Sequence, residues 1–186
     1  MGRPNDVQKY QPVGELRIHF EGHETVADYR RELDMDSALA KISYRIDDVQ
    51  YSREIFASYP DQVIVMKITA DKPGQISFTT QLASVQPSAQ SSTEGNNLLV
   101  MKGSNKDATE AGFGQLGGAY DEKVLKGKMK WESHLKVLSK GGKVTNVTID
   151  GVKEETAAGI KVEGADEIVL VLAAATNLES WNDVSA

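Results

Sequence analysis

The residues here with the widest scope for chemistry are carboxylates, and they come in close pairs: Asp34 with Asp36, Asp47 with Asp48, Asp121 with Glu122, Glu154 with Glu155, and Asp166 with Glu167. Hydrolysis of a glycosidic bond needs two such groups flanking the scissile bond, one of them kept protonated by its surroundings. Most of these pairs sit beside turn signals, where solvated acids are the norm. Asp34 and Asp36 stand apart, because the two-residue period of a strand would project both from one face. Pairing with Arg30 or Arg31, or plain solvation, is the competing explanation.

Gly112-Phe113-Gly114-Gln115-Leu116-Gly117 spells G-x-G-x-x-G, which in nucleotide sites lets backbone amides approach a pyrophosphate at a helix N-terminus. No strand runs directly into it and no βαβ unit surrounds it, so a glycine-rich surface loop accounts for it. His19, His23 and His134 are the only histidines, none at a two-ligand spacing, and there is no cysteine. Disulfides and thiolate metal sites are therefore excluded, and the histidine spacing gives metal binding no support. No G-x-S-x-G is present to strain a nucleophilic serine. Asn146-Val147-Thr148 matches a glycosylation sequon but falls inside an expected strand. Trp131 is in phase with Leu135 and Val137 and belongs to a core, whereas Trp181 lies in a polar tail and is free to stack on a sugar.

Charge and length narrow the partners. With 21 basic and 27 acidic residues the net charge is −6, the wrong sign for a bulk grip on nucleic acid. No apolar run reaches the roughly 20 residues of a membrane-spanning helix. The N-terminus, MGRPNDVQKYQPVGE, lacks the apolar centre of a signal peptide, so any export signal is expected outside this chain. At 186 residues the expectation is one domain, burying roughly 70% of its unfolded surface.

The elements that must position these residues read as strands. Ala38, Ala40, Ile42, Tyr44 and Ile46 alternate with more polar neighbours, and the pattern resumes as Val49, Tyr51, Arg53, Ile55 and Ala57 until Pro60 removes a ladder donor. These two runs predict an antiparallel hairpin, with Asp47-Asp48 as a connection somewhat looser than Asp-Gly would give. Leu16, Ile18 and Phe20 predict a first strand before the turn at Gly22, and Val63 to Thr69 another. Pro73-Gly74 takes the centre of a type II turn ahead of a strand through Ile76 and Leu82.

Residues 84–97 are polar and small and predict a loop. Leu98 to Met101 is a short strand, and 103–128 is irregular, with a helical turn at most from Ala119 to Lys126. Strands return through Met129 to Val137; Gly141-Gly142 and Asp150-Gly151 predict two hairpins. Ile160 and Val162 form a brief strand that Gly164 breaks. Glu167 to Ala175 is unbroken apolar chain, fitting a strand buried on both faces. About ten strands with turn signals between them, and no convincing amphipathic helix, predict an all-β antiparallel sandwich or barrel.

Three groups of residues carry a further likeness: Tyr10-Gln11-Pro12-Val13-Gly14-Glu15-Leu16, Asp28 to Asp36 (DYRRELDMD), and Arg53 to Val63 (REIFASYPDQV). Val162 to Glu167, the close of the apolar run in Ala173 to Asn177, and Asn182-Asp183-Val184-Ser185 extend it to the end. In this order they closely resemble the N-terminal domain of the glycoside hydrolase family 95 α-L-fucosidases. The stretch from Ser84 to Lys128 departs most.

The resemblance implies an all-β, antiparallel β-sandwich of the super-sandwich, galactose-mutarotase-like type over residues 10–176, followed over 177–186 by the start of a linker. Family members carry further strands before the Tyr10-Gln11-Pro12 motif, so the sandwich is expected to be incomplete at its N-terminus. In the family the catalytic acid and the asparagine-assisted base lie in an (α/α)6 barrel, so no catalytic, metal or cofactor residue is carried onto this chain, which alone is expected to be inactive. Asn177, Trp181, Asn182 and Asp183 are the residues expected at an interdomain or sugar contact. The implied partners are the barrel of a parent enzyme and, through it, fucosylated glycans, in a periplasmic or secreted setting; neither nucleic acid nor membrane is expected. Strand edges left bare by missing strands predict a homodimer. Two other readings stay open: a free-standing carbohydrate-binding sandwich using an exposed aromatic such as Trp181, and an enzyme with its own site around Asp34 and Asp36.

Overall fold

Alternating apolar positions become paired strands almost throughout. The computed structural model describes residues 12–105, 107–109, 124–125, 127–150 and 156–180. Its strands in chain order are β1 (Glu15–His19), β2 (Ala27–Asp34), β3 (Leu39–Ile46), β4 (Val49–Ser58), β5 (Val63–Ala70), β6 (Ile76–Ala83) and β7 (Gln90–Glu94). They continue as β8 (Leu98–Ser104), β9 (Ala108–Thr109), β10 (Val124–Leu125), β11 (Lys130–Lys140), β12 (Lys143–Asp150), β13 (Thr156–Ala165) and β14 (Glu167–Thr176). No helix occurs among the described residues.

Two antiparallel sheets form the expected sandwich. The smaller has four strands in the order β1-β6-β13-β12, and the larger has eight, in the order β2-β3-β4-β5-β14-β11-β8-β7; β9 and β10 make a separate two-stranded pair. The core lies where the small sheet covers the middle of the large one. Ile76 and Phe78 of β6 and Ile160 and Val162 of β13 meet Ile68, Leu99, Leu135, Ile168 and Leu170 from the opposite layer. Each fully buried side chain of this kind stabilises the fold by about 1.5–3 kcal/mol. Because the sheets are unequal, β2, β3 and β4 extend past the edge strand β1. The residues 20–26 that link β1 to β2 fold over part of this extension, and there Tyr44, Val49 and Tyr51 form a second, smaller core with Val26, Ile42 and Ile46 packed against it.

The predicted hairpin of β3 and β4 is present, with Ile46 opposite Val49. Its connection is tighter than expected, two residues long, because Asp47 accepts a φ of 50°, a conformation aspartate tolerates better than most side chains. Five expectations need correcting.

Residues 90–94, expected in a loop, form β7, a polar strand that pairs with β8 at the edge of the large sheet. Ala27–Asp34 is likewise a strand, exposed at all eight positions, which alternation could not reveal. Gly141-Gly142 does not close a hairpin: β11 pairs with β14 and β8, and β12 pairs with β13, so the two glycines turn the chain from the large sheet into the small one. Gly164 does not end its strand. Its φ of 65° and a register shift between Val162 and Ala165 make a bulge inside β13. Finally, β14 is central in its sheet yet buried on one face only: Ile168 and Leu170 are buried, Val169 and Val171 are half-buried, and the strand ends in three exposed residues. Among the described residues no second layer covers that outer face.

The Asp150-Gly151 turn lies outside the described residues, although Asp150 opposite Thr156 fixes the connection at five residues. The candidate helical turn at 119–126 lies largely outside them too, and its two described residues, Val124 and Leu125, form β10 rather than a helix.

Candidate functional site

The acids singled out in the sequence are held apart, in turns and surface ion pairs. Asp34 ends β2, and its carboxylate accepts the backbone N–H groups of Asp36 at 3.0 Å and Ser37 at 3.3 Å. Asp36 lies in the turn that follows, so the two do not project from one strand face, and that expectation fails. Asp34 serves to close the turn. The Ser37 hydroxyl first, then the two amides, hold its carboxyl below the usual range.

The other described acids follow the same rule. Asp48 pairs with Lys72, whose hydrogen bond and charge lower the Asp48 pKa. Asp166 accepts the Gly74 N–H at 2.8 Å. Glu167 pairs with Lys67 at 2.9 Å, Lys102 with Glu132 at 3.1 Å, and Lys161 with Glu163 at 2.7 Å. Glu132 is also held low by the His134 ring, which meets it at 2.5 Å, and Glu163 by Lys161. Each displaced carboxyl is displaced downward. A general acid needs the opposite, a carboxyl that burial keeps protonated. Asp121, Glu122, Glu154, Glu155 and the G-x-G-x-x-G segment lie outside the described residues.

The most elaborate polar cluster lies where the 20–26 segment crosses between the sheets. The His23 ring nitrogen meets the Tyr44 hydroxyl at 2.9 Å, and Arg53 donates to the same hydroxyl at 2.8 Å. The Arg53 guanidinium lies 4.3 Å from the Phe20 ring centroid, and Tyr44 stacks on Tyr51 at 5.4 Å. Burial first, and the Arg53 charge second, lower the His23 pKa, while burial raises that of Tyr44. The sequence offered one signal for this cluster: Tyr44, Tyr51 and Arg53 fall on one face of the hairpin, but His23 reaches them only through the fold. The cluster fastens the crossing segment. It contains no carboxylate, and its one hydroxyl beside a base, that of Tyr44 against His23, belongs to a side chain only 4% exposed.

A different feature emerges at the two ends of the sandwich. At one end four segments pass between the sheets: residues 20–26, residues 71–75, Gly141-Gly142, and Asp166. At the other end lie the turns 35–38 and 59–62, the start of β5 and the exit from β14, and only 84–89 crosses among the described residues. The first is the closed end, the second the open end. The open end gathers exposed apolar side chains: Leu33 is 62% accessible, Met35 79%, Tyr59 87%, Ile64 47% and Leu178 49%.

Of the residues expected at an interdomain or sugar contact, Asn177 is at this open end. Its side-chain oxygen accepts the Lys130 N–H at 2.7 Å, and its backbone N–H donates to the Lys130 carbonyl at 3.1 Å. It pins the exit of β14 to the start of β11. Trp181, Asn182 and Asp183 lie outside the described residues. Trp131 is buried at 6% exposure, as its phase predicted, and is closed to stacking on a sugar.

Over residues 1–181 the chain matches the family described as "Glycosyl hydrolase family 65, N-terminal domain", and it belongs to that family. Among curated relatives, "Alpha-L-fucosidase 2" of Arabidopsis thaliana is 38% identical over 187 residues, covering 96% of this chain and 21% of its own length. "Probable alpha-fucosidase A" of Aspergillus niger is 26% identical over 183 residues, with 93% of this chain and 19% of the relative covered. The chain thus spans about a fifth of the length of these relatives. The likeness to the N-terminal domain of fucosidases read from the sequence agrees with both findings.

Proposed function

We propose that this chain is the non-catalytic N-terminal sandwich of a fucosidase-like glycoside hydrolase, and that it supports a separate (α/α)6 catalytic barrel. The disposition of the carboxylates carries this reading. Among the described residues, Asp34 caps a turn, Glu15, Asp28 and Glu32 pair with arginines, Asp48, Glu163 and Glu167 pair with lysines, and each carboxyl that is displaced is displaced downward, opposite to the protonated acid that glycoside hydrolysis requires. The relatives named as fucosidases are about five times as long, which leaves ample chain for the chemistry. On this reading the segment from Asn177 onward begins the linker, and fucosylated glycans reach the module only through the parent enzyme.

The test is direct. The purified chain is incubated with fucosyl-lactose and with an aryl fucoside, and released fucose is measured. No release above background is expected; turnover by the chain alone would falsify the proposal.

A further inference from the structure

The exposed apolar side chains of this molecule are not scattered. Among the described residues nine large hydrophobics are exposed, and all but Tyr29 and Leu138 lie at the open end. Strand register fixes the grouping. Leu33 stands opposite Ala40, which stands opposite Ile55; Ile55 is opposite Met66; and Ile64, two residues before Met66, is opposite Ala57. Leu33 and Ile64 therefore share the face of the large sheet that carries the core, Leu33 in the region that the small sheet leaves bare and Ile64 on the strand that borders it. Met35 and Tyr59 stand on the two turns just beyond.

Single exposed apolar residues are ordinary on a soluble protein, but a contiguous set confined to one end marks a contact surface. What leaves the molecule at this end is its own chain: β14 finishes at Thr176, Asn177 pins it to Lys130, and Leu178 is exposed at the same end of the sandwich. Relatives matched over nearly all of this chain continue for roughly four-fifths of their length outside the match. Chain continuity delivers at least one tethered partner to this rim at high effective concentration, where even a modest apolar contact suffices.

We propose that the rim of Leu33, Met35, Tyr59, Ile64 and Leu178 is the docking surface for the catalytic domain of the parent enzyme, which covers it with an apolar surface of its own. This rests on the reading of the chain as the supporting sandwich of a fucosidase-like hydrolase. A second copy of the chain is the rival occupant. It lacks the tether, and the bare part of the face is only three strands wide, roughly 15 Å at the usual strand spacing, which is narrow for an untethered dimer needing about 800 Å² per partner.

The experiment substitutes this chain for the matched fifth of the Arabidopsis relative and measures hydrogen exchange and fucose release. Turns 35–38 and 59–62 are expected to exchange at least about tenfold more slowly in the fusion than in the isolated chain. Leu33→Asp with Tyr59→Asp and Ile64→Asp should abolish that protection while the isolated chain still unfolds cooperatively, its melting temperature lowered by no more than about 10 °C, and Leu138→Asp should leave the protection intact. Turnover without rim protection overturns the docking surface and leaves the functional reading standing. Protection without turnover does the reverse, and the absence of both defeats the two together. Self-association of the isolated chain that the triple substitution relieves would assign the rim to a second copy and overturn the proposal.

Discussion

The closed end and the open end are built from the same strands, yet they treat apolar side chains in opposite ways. At the closed end the sheets are joined by short covalent links, the shortest being Asp166 alone between β13 and β14, so they are drawn together and Ile68, Ile76 and Ile168 are buried to 1% exposure or less. At the open end the large sheet runs on past the small one, and Ile64, in the same strand as Ile68, stays 47% exposed. Burial here is set by connectivity as much as by residue type. Both ends contribute to the core, since Leu82, Met101 and Trp131 are buried toward the open end, but among the described residues the large exposed apolar side chains collect mainly at the open end.

The largest expected contrast comes from truncating an isoleucine at each end. Ile168→Ala removes a side chain with no exposure from a packed core and should destabilise the chain by about 2–5 kcal/mol, read from urea unfolding. Ile64→Ala, half in solvent already, should stay under about 1 kcal/mol, in line with ordinary surface substitutions. Equal losses at the two positions would mean that the open end is packed in solution.

The turns offer a second contrast, through the backbone. Gly142 has a φ of 69°, and a Cβ there would lie 2.5 Å from the Glu163 carbonyl oxygen. Gly142→Ala should cost about 1–3 kcal/mol from the conformation alone, with the clash adding to it. At the open end Gln62 already holds a φ of 55°, and its side-chain amide donates to the Tyr59 carbonyl on the exposed surface. Gln62→Gly relieves the first and loses the second, so thermal unfolding should show stability within about 1 kcal/mol of the native chain. A loss at Gln62 matching that at Gly142 would erase the distinction between a turn that locks two sheets and one that caps a hairpin.

A smaller effect tests the polar link itself. Asp166 accepts the Gly74 N–H at 2.8 Å, joining two of the crossings. Asp166→Ala should cost about 0.5–1.5 kcal/mol in denaturant unfolding, the net worth of one exposed hydrogen bond whose donor water can serve in its place. Asp61, which accepts the Ser58 hydroxyl at 2.5 Å in the exposed turn of the open end, should cost about 0.5 kcal/mol or less on the same change to alanine.

How much of this was legible in the sequence depended on whether a residue's role showed as periodicity. β3, β4, β5 and β6 announce themselves because one face of each is buried and the other is not. β2 and β7 are edge strands held by main-chain hydrogen bonds, so QSSTE looks like a loop and ADYRRELD shows no apolar alternation. Asp34 and Asp36 suggested a paired-acid site only while their segment was read as one strand; a turn between them dissolves the pair. The apolar run of β14 overstated its burial, since hydrophobic composition does not say which face another layer reaches. The rim was invisible for a related reason. Leu33, Met35 and Tyr59 sit where strands give way to turns, and only the unequal widths of the two sheets reveal that nothing in the described fold covers them.

The finest distinction between the ends is their response to acid. The closed end holds a titratable ring in a crossing segment: His23 packs on Phe20 and Tyr51 and meets the Tyr44 hydroxyl, with Arg53 and Glu24 as the charged groups acting on it. Burial and the Arg53 charge outweigh Glu24 and place its folded pKa below the ordinary value. Above about pH 6.5 the ring is neutral in both folded and unfolded chains, and its contribution to stability is complete. As pH falls from there toward the lowered folded value, the unfolded chain binds more protons than the folded one and stability declines. The carboxyls of Asp34, Asp48, Glu132 and Glu163, all lowered, lose their contribution only in more acidic solution. Melting temperature measured between about pH 7.5 and pH 5.5 should therefore fall on the acid side, and His23→Phe should flatten that slope by keeping the ring contacts while removing the proton. An unchanged slope in His23→Phe would place the acid sensitivity elsewhere and deprive the closed end of its titratable fastening.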